Sequence, residues 1–177
     1  MKLTVEGIAA FAATGGRPFD PARPALVFVH GAGMDHTVWA LQTRYFAHHG
    51  WSVLALDLPG HGLTGPDPQQ RYSVPQTVNF LGALLDELGL DHVTLAGNSL
   101  GGLVSWRLAA ERPDLVERLI LVAPGAYSIN GVTDQPVAVP MGISFFFTSA
   151  PEAMVAAASA GLFGDASRMD PALPGRV

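Results

Sequence analysis

The chain has 177 residues, of which 49% are hydrophobic and only 14% charged, so its composition argues against disorder and suffices for one domain with a sizeable core. The net charge of −5 and the lack of any cluster of three or more Lys or Arg residues argue against nucleic acid or an anionic membrane as a partner. Because there is no cysteine, a disulfide framework, a thiolate metal site and a cysteine nucleophile are excluded.

The strands can be predicted from the apolar pattern. The N-terminal segment alternates apolar and polar residues, which predicts an amphipathic hairpin and differs from the apolar core of a signal peptide. Four later segments consist of apolar or β-branched residues, as is typical of strands covered on both faces. In chain order, the predicted strands span residues 3–8, 9–14, 25–29, 53–56, 93–96 and 119–122.

Helices are predicted between the apolar strands. The first is capped by Asp35 or Thr37 and ends before Gly50, and the second is capped by Ser73 and ends before Gly89. In chain order, the predicted helices cover about residues 37–49, 74–88 and 103–112. Apolar strands that alternate with helices predict an α/β fold with a mostly parallel, doubly wound sheet, whose catalytic groups gather at the carboxyl ends of the strands.

The segment Gly97–Gly102 matches G-x-S-x-G between a predicted strand and a predicted helix. A serine at such a turn is forced out of the sheet with its hydroxyl exposed. Glycines fit the flanking positions, because a Cβ there would collide with neighbouring backbone. Ser99 is therefore predicted to be the catalytic nucleophile, although a serine that only caps a helix is the alternative. A nucleophilic serine also needs a base to take its proton.

Three signatures, each directly after a predicted buried strand, resemble those of the α/β-hydrolase family. They are His30-Gly31-Ala32-Gly33, the segment 57–62 with the sequence Asp-Leu-Pro-Gly-His-Gly, and the serine motif itself. The resemblance covers roughly residues 1–125. It implies a serine hydrolase of the α/β-hydrolase fold that acts on a small-molecule carboxylic ester or a related carbonyl compound.

The resemblance also implies roles for residues around the nucleophile. The backbone N–H groups of Ala32 and Leu100 are expected to form the oxyanion hole. Gly31 and Gly33 allow the loop to approach the substrate closely, and Asn98, which precedes the nucleophile, is assigned to substrate binding as well. A simple glycine-rich turn is the alternative interpretation of residues 30–33.

The histidines and the second loop are expected to have structural roles. His30 and His61 are interpreted as supports of their loops, and Asp57 is expected to bind loop amides. The remaining histidines are interpreted as surface or helix-end groups: His36, His48, His49 and His92. No pair of histidines has metal-binding spacing, and neither G-x-G-x-x-G nor a P-loop occurs, so no metal and no cofactor is expected.

The family carries its catalytic acid and histidine on loops after two further strands, but no histidine follows His92. We therefore expect the chain to be the N-terminal part of a longer hydrolase, or a truncated product, that is poorly active alone. Residues 1–123 are predicted to form the core and residues 124–177 the start of a helical cap. Because the longest weakly polar run is too short and broken to span a bilayer, a cytoplasmic location is expected.

Three other functions fit the same motifs. Asn98 before the nucleophile also resembles hydrolases that cleave carbon–carbon bonds in ring-fission products. A non-catalytic fragment and an acyltransferase that uses an acceptor other than water are the further alternatives. The aromatic and methionine residues of the cap are predicted to pack in a core rather than to line a pocket, although an apolar acyl or aryl substrate is expected. They are Met141, Phe145, Phe146, Phe147, Met154 and Phe163.

Overall fold

The computed structural model describes residues 1–125, which form one six-stranded sheet and its helices. The strands are β1 (Lys2–Val5), β2 (Ile8–Ala13), β3 (Ala25–Val29), β4 (Ser52–Leu56), β5 (Val93–Asn98) and β6 (Val116–Val122). The helices are a 3-10 helix (His36–Trp39), α1 (Ala40–Ala47), α2 (Val74–Glu87) and α3 (Leu100–Glu111). The strand order is β1-β2-β4-β3-β5-β6, in which β3 to β6 run parallel and β2 is antiparallel to both its neighbours. The predicted fold class is thus confirmed.

The central strands β3, β4 and β5 are covered on both faces, as their apolar sequences predicted. In β3, Val27 and Val29 pack into the core cluster that contains residues of α2 and α3, whereas Leu26 and Phe28 face a second cluster with Trp39 of the 3-10 helix. The Phe28 and Trp39 rings stack with centroids 4.8 Å apart. Because each fully buried large side chain contributes about 1.5–3 kcal/mol, the central strands anchor the loops that follow them.

The N-terminal hairpin turns earlier than the sequence predicted. Glu6 (φ 49°) and Gly7 (φ 83°) form its two-residue turn, so that Val5 pairs with Ile8 rather than belonging to the same strand. Two successive positive φ values are typical of a type I′ hairpin turn. The predicted break after Ile8 was wrong because Glu-Gly is a weaker turn signal than Asn-Gly.

Two helices start differently from their predicted positions. Asp35 is the N-cap of the first, as predicted, but four residues of 3-10 helix precede α1. Helix α3 begins at Leu100, three residues before its predicted start, so the helix follows Ser99 with no intervening loop. In α2, Ser73 stands at the N-cap, but its side chain makes no capping hydrogen bond.

Strand β6 starts at Val116 rather than at residue 119 and lies at one edge of the described sheet, paired with β5. Its Ile120, Leu121 and Val122 are 50%, 41% and 43% exposed, which makes this an apolar edge strand. Apart from Pro124 and Gly125, the predicted cap and its aromatic residues lie outside the described residues. Among residues 1–125, no helix is long and apolar enough to cross a membrane.

Candidate functional site

Ser99 lies between β5 and α3, where the chain turns sharply from strand to helix. Its backbone has φ 51° and ψ −114°, a conformation that is strained for a residue with a side chain. Three backbone hydrogen bonds hold it there: its N–H donates to Val122 O (3.1 Å), and its carbonyl accepts from Leu103 (3.0 Å) and Gly125 (2.8 Å). The serine is exposed, as the motif predicted.

Glycines allow the strand, the turn and the helix to approach one another closely. A Cβ on Gly97 would collide with backbone of Gly101, and a Cβ on Gly101 would lie 2.5 Å from the carbonyl oxygen of His30 and still closer to that of Val29. Real Cβ atoms essentially never come so close to another atom. The glycines of the motif are therefore required by contact with backbone atoms that have no room to move.

The loop after β3 lies directly beside the serine. A Cβ placed on Gly31 would be 3.3 Å from Ser99 Cβ and 3.3 Å from the sulfur of Met34. The N–H of Met34 donates to Gly31 O (3.3 Å), and Gly33 has φ 69°, so residues 31–34 form a tight turn. The structure thus brings the two predicted oxyanion-hole loops together at the carboxyl ends of β3 and β5.

Neither predicted oxyanion donor is used by the surrounding backbone. Leu100 is the first residue of α3, so its N–H has no acceptor inside the helix and lies at the positive end of the helix dipole. Among residues 1–125, no backbone hydrogen bond is formed by the N–H of Ala32. Both N–H groups are therefore without a backbone acceptor in the part of the chain that the structure describes.

His30 is completely buried and connects two loops. Its Nδ1 lies 2.7 Å from Gly31 O, and its Nε2 accepts the N–H of Leu58 (2.9 Å). This pattern requires the neutral ring with its proton on Nδ1. Burial lowers the pKa of His30 from 6.5 to about 4, although the hydrogen bond to Gly31 O opposes the shift. The structural role predicted for His30 agrees with these contacts.

Asp57 binds loop amides, as predicted, and also binds a histidine that was interpreted as a surface or helix-end group. Its buried carboxylate accepts the N–H groups of His36 (2.6 Å) and Leu63 (2.8 Å). The Nδ1 of His36 lies 2.9 and 3.0 Å from the two carboxylate oxygens. His36 is the first residue of the 3-10 helix, in agreement with the helix-end interpretation, but its side chain is only 20% exposed and binds Asp57. The sequence signal was its place directly after the N-cap Asp35, in the loop that faces Asp57.

Asn98 precedes the nucleophile, and its side-chain amide is engaged by the fold. Its Nδ2 donates to Val122 O (3.2 Å), the same carbonyl that accepts the N–H of Ser99. Its Oδ1 lies 3.0 Å from the position that a Cβ on Gly31 would occupy. Asn98 thus connects the ends of β5 and β6 and lies beside the loop that follows β3.

Among the described residues, one group of three side chains has the spacing of metal ligands: Asp35, His36 and Asp57. Their polar atoms are already engaged with protein partners. Asp35 accepts hydrogen bonds from the backbone N–H (2.8 Å) and the hydroxyl of Thr37, while Asp57 binds His36.

Comparison with known proteins identifies the family. A model of the alpha/beta hydrolase fold matches residues 24–146, which include all three loops of the site. The chain belongs to the α/β-hydrolase fold family. This α/β hydrolase is 38% identical over 99 residues to an esterase of Mycobacterium tuberculosis, a match that covers 56% of this chain and 32% of the esterase.

Solved structures agree with this family. A membrane phospholipase A has a TM-score of 0.64 and 28% identity, with 72% of this chain and 40% of the phospholipase covered. An epoxide hydrolase from Vigna radiata has a TM-score of 0.61 and 28% identity, with 68% of this chain and 38% of that enzyme covered. The chain spans about a third of the length of the curated relatives that it matches.

Proposed function

We propose that the chain carries the nucleophile and the oxyanion hole of a serine hydrolase that acts on a carboxylic ester or a related carbonyl compound. The observation that carries this proposal is the exposed Ser99 in a strained strand-to-helix turn, with Gly31 of a second loop against its Cβ. The match to an esterase supports the class of substrate. The exposed Met34 beside Gly31 supports a substrate with an apolar acyl or aryl group.

In the proposed reaction, the Ser99 hydroxyl oxygen attacks the carbonyl carbon while its proton passes to a general base. The carbonyl oxygen becomes negatively charged and accepts hydrogen bonds from the N–H groups of Ala32 and Leu100. The alcohol then leaves with the proton from the base, and water releases the acid from the serine. A single oxyanion donor typically lowers the barrier by about 3 kcal/mol, so two preorganised amides are a substantial part of the catalysis.

None of the three histidines nearest the site is suited to act as the general base, so the proposal assigns the base to another segment. His30 is unsuitable because both its ring nitrogens are engaged and its pKa of about 4 keeps it a weak base. His36 directs its Nδ1 to Asp57, and His61 directs its Nδ1 to Pro59 O (3.1 Å). Since a serine without its base retains little activity, we expect the 177-residue chain to hydrolyse esters far below about 10 per second, a typical enzyme turnover.

Hydrolysis of a p-nitrophenyl ester tests the proposal, both in this chain and in a longer form that supplies the base. We expect turnover in the longer form that is lost in Ser99→Ala and retained in Ser73→Ala, a matched change at another exposed serine. Equal turnover by the Ser99→Ala variant and the unchanged protein would overturn the proposal. Full turnover by the 177-residue chain would contradict the assignment of the base to another segment.

The same assay separates the alternative reactions. Carbon–carbon hydrolysis is the alternative suggested by Asn98, whose side-chain amide donates to Val122 O. Cleavage of a vinylogous diketone, assayed beside the ester, would reveal carbon–carbon hydrolysis. Acyl transfer would give a new ester or thioester when an alcohol or a thiol is added.

A further inference from the structure

We propose that His36, acting through Asp57, is a positioning residue that fixes the oxyanion loop, defined here as residues 31–35. The proposal rests on the function proposed above only in so far as this loop supplies the N–H of Ala32. The loop lies between two histidines, His30 and His36, and both are bound to the segment 57–63. Its two ends are therefore attached to the same neighbouring segment.

The attachment at His36 is built from both backbone and side chain. Asp57, whose side chain has no exposed surface, receives the N–H of His36 at 2.6 Å and its Nδ1 at 2.9 Å. The other carboxylate oxygen receives the N–H of Leu63 at 2.8 Å, which holds the acid in place. The ring of His36 also lies against Phe11, with centroids 4.9 Å apart. A buried carboxylate with several donors forms strong, directional hydrogen bonds, and these restrict the loop.

The segment that holds Asp57 is itself shaped for this contact. Gly62 has φ 52°, and a Cβ there would collide with the Asp57 carboxylate. Between the two attachments, the loop contains Gly31 and Gly33, which have little intrinsic stiffness. A loop of this composition needs external contacts to hold the N–H of Ala32 toward the serine. A donor that moves away from the developing oxyanion loses its effect on the rate.

Two substitutions distinguish positioning from a general role in folding. In His36→Asn, the amide nitrogen is separated from Cβ by the same number of bonds as Nδ1 in histidine, so the variant keeps a donor for Asp57. In His36→Leu, the side chain donates nothing, although the backbone N–H remains. His48→Leu, at an exposed histidine just after α1, is the matched control.

Backbone 15N relaxation of the 177-residue chain measures the effect without any need for turnover. We expect order parameters near 0.85 for residues 32–35 in the unchanged chain, in His36→Asn and in His48→Leu, and values below about 0.6 in His36→Leu, with β3 and β5 unaffected. An ordered loop in His36→Leu, or equal loss of order in His36→Asn, would overturn the proposal. Global unfolding of His36→Leu would overturn it too, because the role would then be in folding.

Kinetics in the longer form that supplies the base provide the second readout. Displacing an oxyanion donor affects the transition state rather than substrate binding, so kcat of His36→Leu is expected to fall about 10-fold with KM within twofold of the original value. His36→Asn should recover most of kcat, whereas a change confined to KM would contradict positioning. If the protein has no turnover that depends on Ser99, the proposed function fails, while the relaxation data still decide the role of His36.

Discussion

The buried His30 gives a quantitative prediction about stability and pH. In the unfolded chain, an ordinary histidine takes up a proton as the pH falls through about 6.5, whereas burial in the folded protein lowers the pKa of His30 to about 4. Between these two values the unfolded state binds more protons. The free energy of unfolding therefore decreases as the pH falls, and the contribution of His30 is fully present only above about pH 6.5.

The size of the effect follows from the two pKa values. The shift of the pKa from 6.5 to about 4 contributes about 3 kcal/mol to the free energy of unfolding at neutral pH. About 2.5 kcal/mol of this contribution is lost between pH 7.5 and pH 4.5. The contacts supply the reason. Protonation would place a hydrogen on Nε2, which now accepts the N–H of Leu58, so two donors would face each other without water to separate them.

Urea unfolding at several pH values tests this prediction. In His30→Gln, an amide oxygen near the position of Nε2 still accepts the Leu58 N–H, but the side chain does not titrate. From pH 7.5 to 4.5, the free energy of unfolding of the unchanged chain should fall by about 2.5 kcal/mol more than that of this variant. The contributions of the carboxylates are common to both proteins and cancel in this difference. His48→Gln, at an exposed position, should follow the unchanged chain. If the free energy of unfolding varied with pH in the same way for the unchanged chain and for His30→Gln, the reasoning would be refuted.

Two further predictions concern the turn at the nucleophile. Gly101→Ala should lower the free energy of unfolding in urea by about 2–3 kcal/mol, because the new Cβ would press on the carbonyl of His30. In the control Gly82→Ala, the new Cβ would meet only the end of the Leu108 side chain, so this change should be neutral or stabilising. Equal effects of the two substitutions on stability would contradict the packing argument. Ser99→Gly should raise the free energy of unfolding by about 1 kcal/mol, because glycine relieves the strain at φ 51°. The same change should abolish ester hydrolysis, because it removes the proposed nucleophile. A melting temperature of Ser99→Gly no higher than that of Ser99→Ala would argue against strain.

Much of the fold could be predicted because the central strands are apolar on both faces. For β3 and β4, a short unbroken apolar run such as Ala25–Val29 is typical of a buried strand, and the observed bounds lie within one residue of the predicted ones. Boundaries that depend on backbone conformation were predicted less well. The turn at Glu6 and Gly7 and the start of α3 at Leu100 arise from φ values and close approaches that apolar periodicity does not encode.

The candidate site was predictable where a motif determines backbone geometry and less so where side chains meet across loops. The sequence motif predicted that Ser99 lies in an exposed turn, and it indicated why positions 97 and 101 require glycine. The partnership of His36 with Asp57 joins residues 21 positions apart, through one oxygen that accepts both a backbone and a side-chain donor. No spacing rule for helices or strands brings two such residues together, so the contact became visible only in the folded chain.

Covalent labelling of Ser99 tests the central claim most directly. A fluorophosphonate is added to the longer form that supplies the base, and the modified peptide is located by mass spectrometry in the unchanged protein, in Ser99→Ala and in Ser73→Ala. We expect one adduct, on the peptide that contains residue 99, in the unchanged protein and in Ser73→Ala, with none in Ser99→Ala. Equal labelling of Ser99→Ala, or an adduct at another serine, would contradict it.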